Sequence, residues 1–177
     1  MATVRVGDIM IPLDQYPHVL YTYTLQQAIE VIENSELNVG GRKSLPRSVL
    51  IFDENYQLMG MIRRRDILRG LEPEFLLDKP LEYRKKLFDV KVDPNLSELS
   101  YDKIIKGARE NAKLPVSRFM KPIEVTVDYE DHIFKAIYEM NSRRLDLLPV
   151  MRNNEVIGVI RTVDVFHEVA KLLKEDQ

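Results

Sequence analysis

LMGMIRRRDIL at Leu58 to Leu68 and IGVIRTVDVF at Ile157 to Phe166 carry one pattern in register: a Gly, two apolar residues, an Arg, two variable residues and an Asp. The agreement continues upstream. DIMIP at Asp8 to Pro12 matches RFMKP at Arg118 to Pro122, and LQQAIEVI at Leu25 to Ile32 matches HIFKAIYEM at His132 to Met140. A duplicated supersecondary unit is therefore the organising fact. Two copies are too few for a solenoid, and they predict two halves packed as one pseudo-symmetric body.

Composition narrows the classes of function. A chain of 177 residues buries roughly 70% of its unfolded surface on folding, enough for a real core. Apolar residues at 45% and charged residues at 31% are values of an ordinary soluble protein. The net charge of −2 offers no global attraction to nucleic acid or anionic lipid, so any anion site has to be local. The absence of cysteine excludes disulfides, thiol catalysis and thiolate metal sites. The histidines, His18, His132 and His167, lack metal-ligand spacing. No apolar run approaches the ~18 residues of a membrane span, and MATVRVGDIM is no signal peptide, so a cytoplasmic location is expected.

Each repeat reads as an entering segment, then helix, strand, strand, helix. Thr24 and Gln27 form a capping box ahead of a helix with Leu25, Ala28, Ile29 and Ile32 on one face. Val49 to Phe52 and Gln57 to Ile62 read as a hairpin across the turn-like DENY, and a helix follows with Gly70 as its stop. In the second repeat Ile133, Ala136, Ile137 and Met140 make the helical stripe. LLPVM and EVIGVI make strands around an Asn153-Asn154 turn, and a last helix runs from Thr162 to Leu173. Repeat one is about ten residues longer. The excess falls around Glu33 to Arg47, with Gly40, Gly41, Arg42, Lys43 and Arg47, and reads as a mobile basic loop. The boundaries drawn are 1–70 for the first repeat, 71–114 for a helical insertion and 115–177 for the second repeat. Within the insertion, Ser97 to Asn111 has helical spacing and Glu74 to Phe88 reads as a broken helix.

The chemistry sits at the strand-to-helix junctions. Backbone amides of a helix's first turn lack intrahelical partners and attract anions. Arg63, Arg64 and Arg65 nevertheless crowd cations onto that end, against the helix dipole, at roughly 0.3 to 1 kcal/mol each when exposed. Two accounts are open: local pairing with Asp66 offsets part of this charge, or a phosphate-bearing ligand supplies the missing negative charge. A guanidinium donates paired hydrogen bonds to phosphate, and a carboxylate one turn on accepts from ribose hydroxyls. Arg63 with Asp66, and Arg161 with Asp164, therefore suit the two ends of a sugar-phosphate.

In this order, and twice over, the DIMIP and RFMKP entries, the Ala-containing helices, LPV at Leu148 to Val150, and the GMIRRRD and GVIRTVD junctions resemble the tandem cystathionine-beta-synthase (CBS) domain family, whose paired form is called a Bateman module. The resemblance implies an α/β fold of two pseudo-symmetric beta-alpha-beta-beta-alpha repeats packed sheet to sheet, with two clefts between them. It further implies an adenine nucleotide (AMP, ADP or ATP) in those clefts, no required cofactor, and a homodimer. By position it puts the ribose-contacting acid on Asp66 and Asp164. It puts the lining of the base and sugar on Ile11, Pro12, Ser48 and Val49 in repeat one, and on Lys121, Pro122, Leu147 and Leu148 in repeat two. One departure stands out: where the family usually has Thr or Ser, both junctions carry Arg, at Arg63 and Arg161.

The expected function is a non-enzymatic regulatory module that senses an adenine nucleotide and signals to a protein partner whose identity the sequence does not give. The alternative is a ligand-free assembly scaffold in which Arg63 and Arg161 are salt-bridge partners of Asp66 and Asp164. Paired carboxylates with a nucleophile, HExxH, GxxxxGKS/T and GxSxG are all missing, so no enzyme is expected. The short basic groups lack interleaved aromatics, so nucleic acid is not expected as a partner, and the net charge of −2 with no spanning run leaves no membrane partner expected.

Overall fold

A computed structural model describes residues 3–73 and 101–174. Helix α1 (Val6–Ile9) leads into β1 (Ile11–Pro12), a 3-10 turn at Leu13–Gln15 and β2 (His18–Leu20). Next come α2 (Leu25–Glu33), β3 (Leu37–Val39), β4 (Arg42–Ser44), β5 (Ser48–Phe52), β6 (Leu58–Arg63) and α3 (Arg64–Leu71). After α4 (Tyr101–Asn111) the second repeat supplies β7 (Lys121–Pro122), β8 (Val127–Asp128), α5 (Ile133–Arg143), β9 (Leu147–Arg152), β10 (Glu155–Arg161) and α6 (Thr162–Leu172). The helix expected within Ser97 to Asn111 is present as α4, whereas the reading of Glu74 to Phe88 lies outside the described residues. Among the described residues, no helix is long and apolar enough to cross a membrane.

Local chemistry sets the elements. The Thr24 hydroxyl accepts from Gln27 N–H while the Gln27 side chain accepts from Thr24 N–H, so the capping box closes in both directions. Asn153 and Asn154 both adopt positive φ at the β9–β10 turn, which two-residue hairpins require and Asn tolerates. Gly70 is not a helix stop. It lies inside α3, where a Cβ would come within 2.9 Å of Leu25 and 3.1 Å of Phe119. The residue is small because α3 is pressed against its neighbours there.

Two four-stranded sheets result, in the orders β2-β5-β6-β7 and β1-β10-β9-β8. The expected pair of sheets, one for each repeat, is present, and each takes one strand from the other repeat. The entry strand of each repeat leaves its own half and pairs antiparallel with the other: Ile11 and Pro12 lie against Val159 and Gly158, and Lys121 and Pro122 lie against Met61 and Gly60. The repeated Gly explains how. A Cβ on Gly60 would sit 2.4 Å from the Lys121 carbonyl oxygen, and one on Gly158 2.3 Å from that of Ile11. The exchange begins earlier still, with Val6 N–H donating to the Asp131 carbonyl and Val116 N–H to that of Tyr23.

Each repeat has its own apolar core, one around Leu25, Ala28, Val49, Ile51 and Ile62, the other around Ala136, Leu148, Val150 and Ile160. A third cluster lies between the sheets and draws Ile11, Tyr16, Leu37, Leu50 and Phe52 from one repeat and Leu147 and Val159 from the other. The excess residues of repeat one are also corrected. They form a hairpin, β3 with β4, turning at Gly40 and Gly41 with φ +57° and +79°. Leu37 and Val39 anchor it on the cluster between the sheets, so it is built structure and not a mobile loop.

Candidate functional site

Both strand-to-helix junctions place Arg at the residue before the helix and Asp in its first turn. Arg63 Nε and Nη2 donate to Asp66 Oδ2 and Oδ1 at 2.8 and 2.9 Å, and Arg63 N–H adds a bond to Oδ2 at 3.0 Å. Arg161 Nε and Nη2 reach Asp164 Oδ2 and Oδ1 at 2.7 and 2.8 Å. These are fork-to-fork pairs, the strong geometry for guanidinium and carboxylate. Burial alone pushes the Asp66 pKa up, but hydrogen bonds from the Arg63 side chain and backbone, with the charges of Arg63 and Lys121, outweigh it and hold that carboxyl below the usual Asp value.

Strand exchange, not repeat membership, sorts the remaining residues. Beside Arg63 and Asp66 lie Lys121 and Asp146, near enough for their charges to act on the pair, and Lys121, Pro122 and Asp146 are all exposed. Arg161 and Asp164 instead share their surroundings with repeat one. Ile11 pairs across to Val159, and Tyr16 lies near enough to feel both charges. Ser48 Oγ is 2.9 Å from the Tyr16 hydroxyl, which also donates to the Ser48 carbonyl at 3.0 Å. Val49 and Leu148 face the cores of their own repeats, whereas Leu147 joins the cluster between the sheets.

The two Arg–Asp pairs differ in exposure. The Arg63 side chain is 44% exposed and that of Asp66 2%; the corresponding values for Arg161 and Asp164 are 11% and 5%. Two groups cover the second pair. Arg161 Nη1 donates to Ser44 Oγ of the β3–β4 hairpin at 3.1 Å, and the Tyr16 ring, 2% exposed, packs between the sheets. Sequence reasoning did not bring Tyr16, Ser44 or Asp146 to this site. The available signal was length: seven positions separate Pro12 from Val19, but five separate Pro122 from Val127, although both valines pair with the middle of the neighbouring strand. Among the described residues no group of three metal-ligating side chains comes together.

A protein-family model described as CBS domain matches residues 6–73 and 116–171. Among solved structures, the chain is similar to the CBS-pair protein CBSX2 from Arabidopsis thaliana, with 16% identity, a TM-score of 0.64 and coverage of 98% of this chain and 99% of that one. CBSX2 solved in complex with AMP aligns at 16% identity and TM-score 0.59, over 95% and 97% of the two chains. A CBS domain-containing protein from Kribbella flavida aligns at 16% and 0.66, over 94% and 98%. At such identities the likeness shows the fold. No curated protein matches the chain in sequence.

Proposed function

The chain belongs to the CBS domain family, and from that premise we propose that it is a non-catalytic regulatory module that binds an adenine nucleotide between its repeats and passes the occupancy to a protein partner. The observation that carries this reading is the Arg63–Asp66 pair, in which a half-exposed guanidinium covers a buried carboxylate at the start of α3. A phosphate can draw Arg63 outward, and the same movement frees Asp66 to accept from ribose hydroxyls. Lys121 adds a second cation nearby. The AMP complex of CBSX2, a protein of the same fold, supports the choice of ligand class.

The test is a thermal-shift titration of nucleotide-stripped protein with AMP, ADP, ATP, S-adenosylmethionine and plain phosphate. Saturable stabilisation by one adenine nucleotide, of about 2.7 kcal/mol at a hundredfold excess over Kd, is the expected outcome. No shift with any of them would favour the second reading, a ligand-free assembly scaffold. That reading draws support from both Arg–Asp pairs being satisfied internally. We also propose a homodimer through α5 and α6, where Phe134, Tyr138 and Phe166 are exposed. Sedimentation of a Tyr138→Lys, Phe166→Lys variant as a monomer, against a wild-type dimer, is the expected result.

A further inference from the structure

We propose that this module has one ligand cleft, at Arg63 and Asp66, and that the pseudo-equivalent cleft at Arg161 and Asp164 is permanently filled by the chain's own Tyr16 and β3–β4 hairpin. What enters the open cleft rests on the nucleotide reading above. What fills the other does not.

The two junctions offer a controlled comparison. They have the same Arg, the same Asp, the same spacing and the same position at the end of a hairpin strand, so any difference in exposure comes from what lies above them. Above Arg161 lie two additions that repeat one has and repeat two lacks. The connection after Pro12 is longer by two residues, takes a 3-10 turn over Leu13–Gln15 and swings Tyr16 inward. The segment between α2 and β5 is longer by about ten residues and folds as the β3–β4 hairpin, which brings Ser44 to Arg161.

The polar accounting in the filled cleft is complete. Arg161 donates to Asp164 and Ser44, and Tyr16 is bonded to Ser48. Among the described residues no buried side-chain nitrogen or oxygen lacks a partner. A ligand entering here would have to expel an aromatic ring from an apolar cluster and break a buried charged hydrogen bond before making any contact of its own. An aromatic ring between the sheets, beside an Arg–Asp pair at a helix start, has the planar shape of a base and takes up the space beside that pair.

The corresponding connection after Pro122 is Ile123, Glu124, Val125 and Thr126, with no aromatic residue and with Glu124 and Thr126 exposed. The segment from α5 to β9 turns at Arg144, in the left-handed region, without a hairpin. Among the described residues nothing equivalent to Tyr16 or Ser44 lies over Arg63. The exposed junction offers two cations, Arg63 and Lys121, and two carboxylates, Asp66 and Asp146. That set fits a ligand with one anionic end and one end rich in hydroxyl or amine donors, as a nucleoside monophosphate has.

Two measurements on the full chain decide this. Calorimetric titration with AMP should give one site per chain, with Asp66→Ala weakening it at least tenfold. The second measurement needs no ligand: an alkaline spectrophotometric titration of wild type minus Tyr16→Phe, a variant that keeps the ring. A filled cleft holds the Tyr16 phenol protonated above the ordinary value of about 10 until the protein unfolds. Two AMP per chain would overturn the proposal. A Tyr16 phenol that ionises with the exposed tyrosines would overturn it whatever AMP does. A late phenol with no AMP binding leaves the filled cleft standing and sinks the nucleotide reading instead.

Discussion

At the scale of single residues, one Arg–Asp pattern performs two different jobs because burial differs. Removing one partner of a buried ion pair leaves an uncompensated charge and costs about 3–5 kcal/mol. Arg161→Met should therefore destabilise the protein by about that amount in urea denaturation, and Arg63→Met by less, because the Arg63 side chain is 44% exposed and the buried Asp66 carboxylate keeps the Arg63 N–H as a donor. Equal losses would mean that the two pairs are energetically alike. Acid should act on the Arg63–Asp66 pair in a defined direction. The folded pKa of Asp66 lies below the ~3.9 of a free Asp, so its contribution is complete above about pH 4 and is lost as pH falls through the folded value. The stability gap between wild type and Asp66→Asn should accordingly shrink on acidification below pH 4, and a gap that widens would contradict the pairing. Ligand binding gives a third test. Adenosine has to break the Arg63–Asp66 bonds with no phosphate to receive the guanidinium, so Arg63→Ala should weaken AMP at least tenfold, about 1.4 kcal/mol, and leave adenosine unchanged or tighter. Arg63, Asp66, Arg161 and Asp164 were legible in the sequence because an Arg and an Asp, three positions apart, stand at the same place after an apolar strand in both repeats. Tyr16 was not, because a lone Tyr in a short connection carries no periodicity, and its role follows from where the chain folds it.

At the scale of elements, what was legible was local. The capping box at Thr24, the helical stripes and the hairpins around β5–β6 and β9–β10 follow from residues a few positions apart. The β3–β4 hairpin escaped because its strands have three residues each and only Leu37 and Val39 reach the core, a signal too brief for alternation to register. Its Gly40-Gly41 turn was the better clue, since consecutive positive φ values mark a tight hairpin. The repeated Gly of the junction motif was legible as part of the repeat without a cause, and its physical reason is the exchanged strand lying against it. Gly158→Ala would force a methyl onto the Ile11 carbonyl at 2.3 Å, and backbone atoms cannot give way as a flexible side chain does. We expect a loss of roughly 1–3 kcal/mol or more, as overpacking costs elsewhere. Gly60→Ala should cost less, because Lys121 and Pro122 form an exposed strand that can shift, whereas Ile11 is buried. Thermal melts of the two variants check the order, and the reverse order would argue against strand exchange as the reason for the Gly.

For the whole molecule, the exchanged strands decide whether the two repeats are two domains or one. The sequence predicted two halves packed as one pseudo-symmetric body, each with its own helices and strands, but nothing local tells a two-residue strand which sheet to join. In the structure β1 completes the sheet of the second repeat and β7 that of the first, while Leu147 and Val159 share a cluster with Ile11, Leu50 and Phe52. Separating the repeats would thus leave each sheet without an edge strand, and would strip cover from Tyr16 and from the Arg161–Asp164 pair. Those losses exceed what a half of about seventy residues can absorb, since its own core supplies only a few kcal/mol of net stability. Heat should therefore unfold the chain in a single transition whose calorimetric and van't Hoff enthalpies agree. Nucleotide at the Arg63 cleft should move that one transition as a unit, including the second repeat that holds Lys121 and Asp146. Two resolved transitions, with only one of them shifted by AMP, would mean that the repeats are energetically separate and that occupancy of the cleft has no route to the other half.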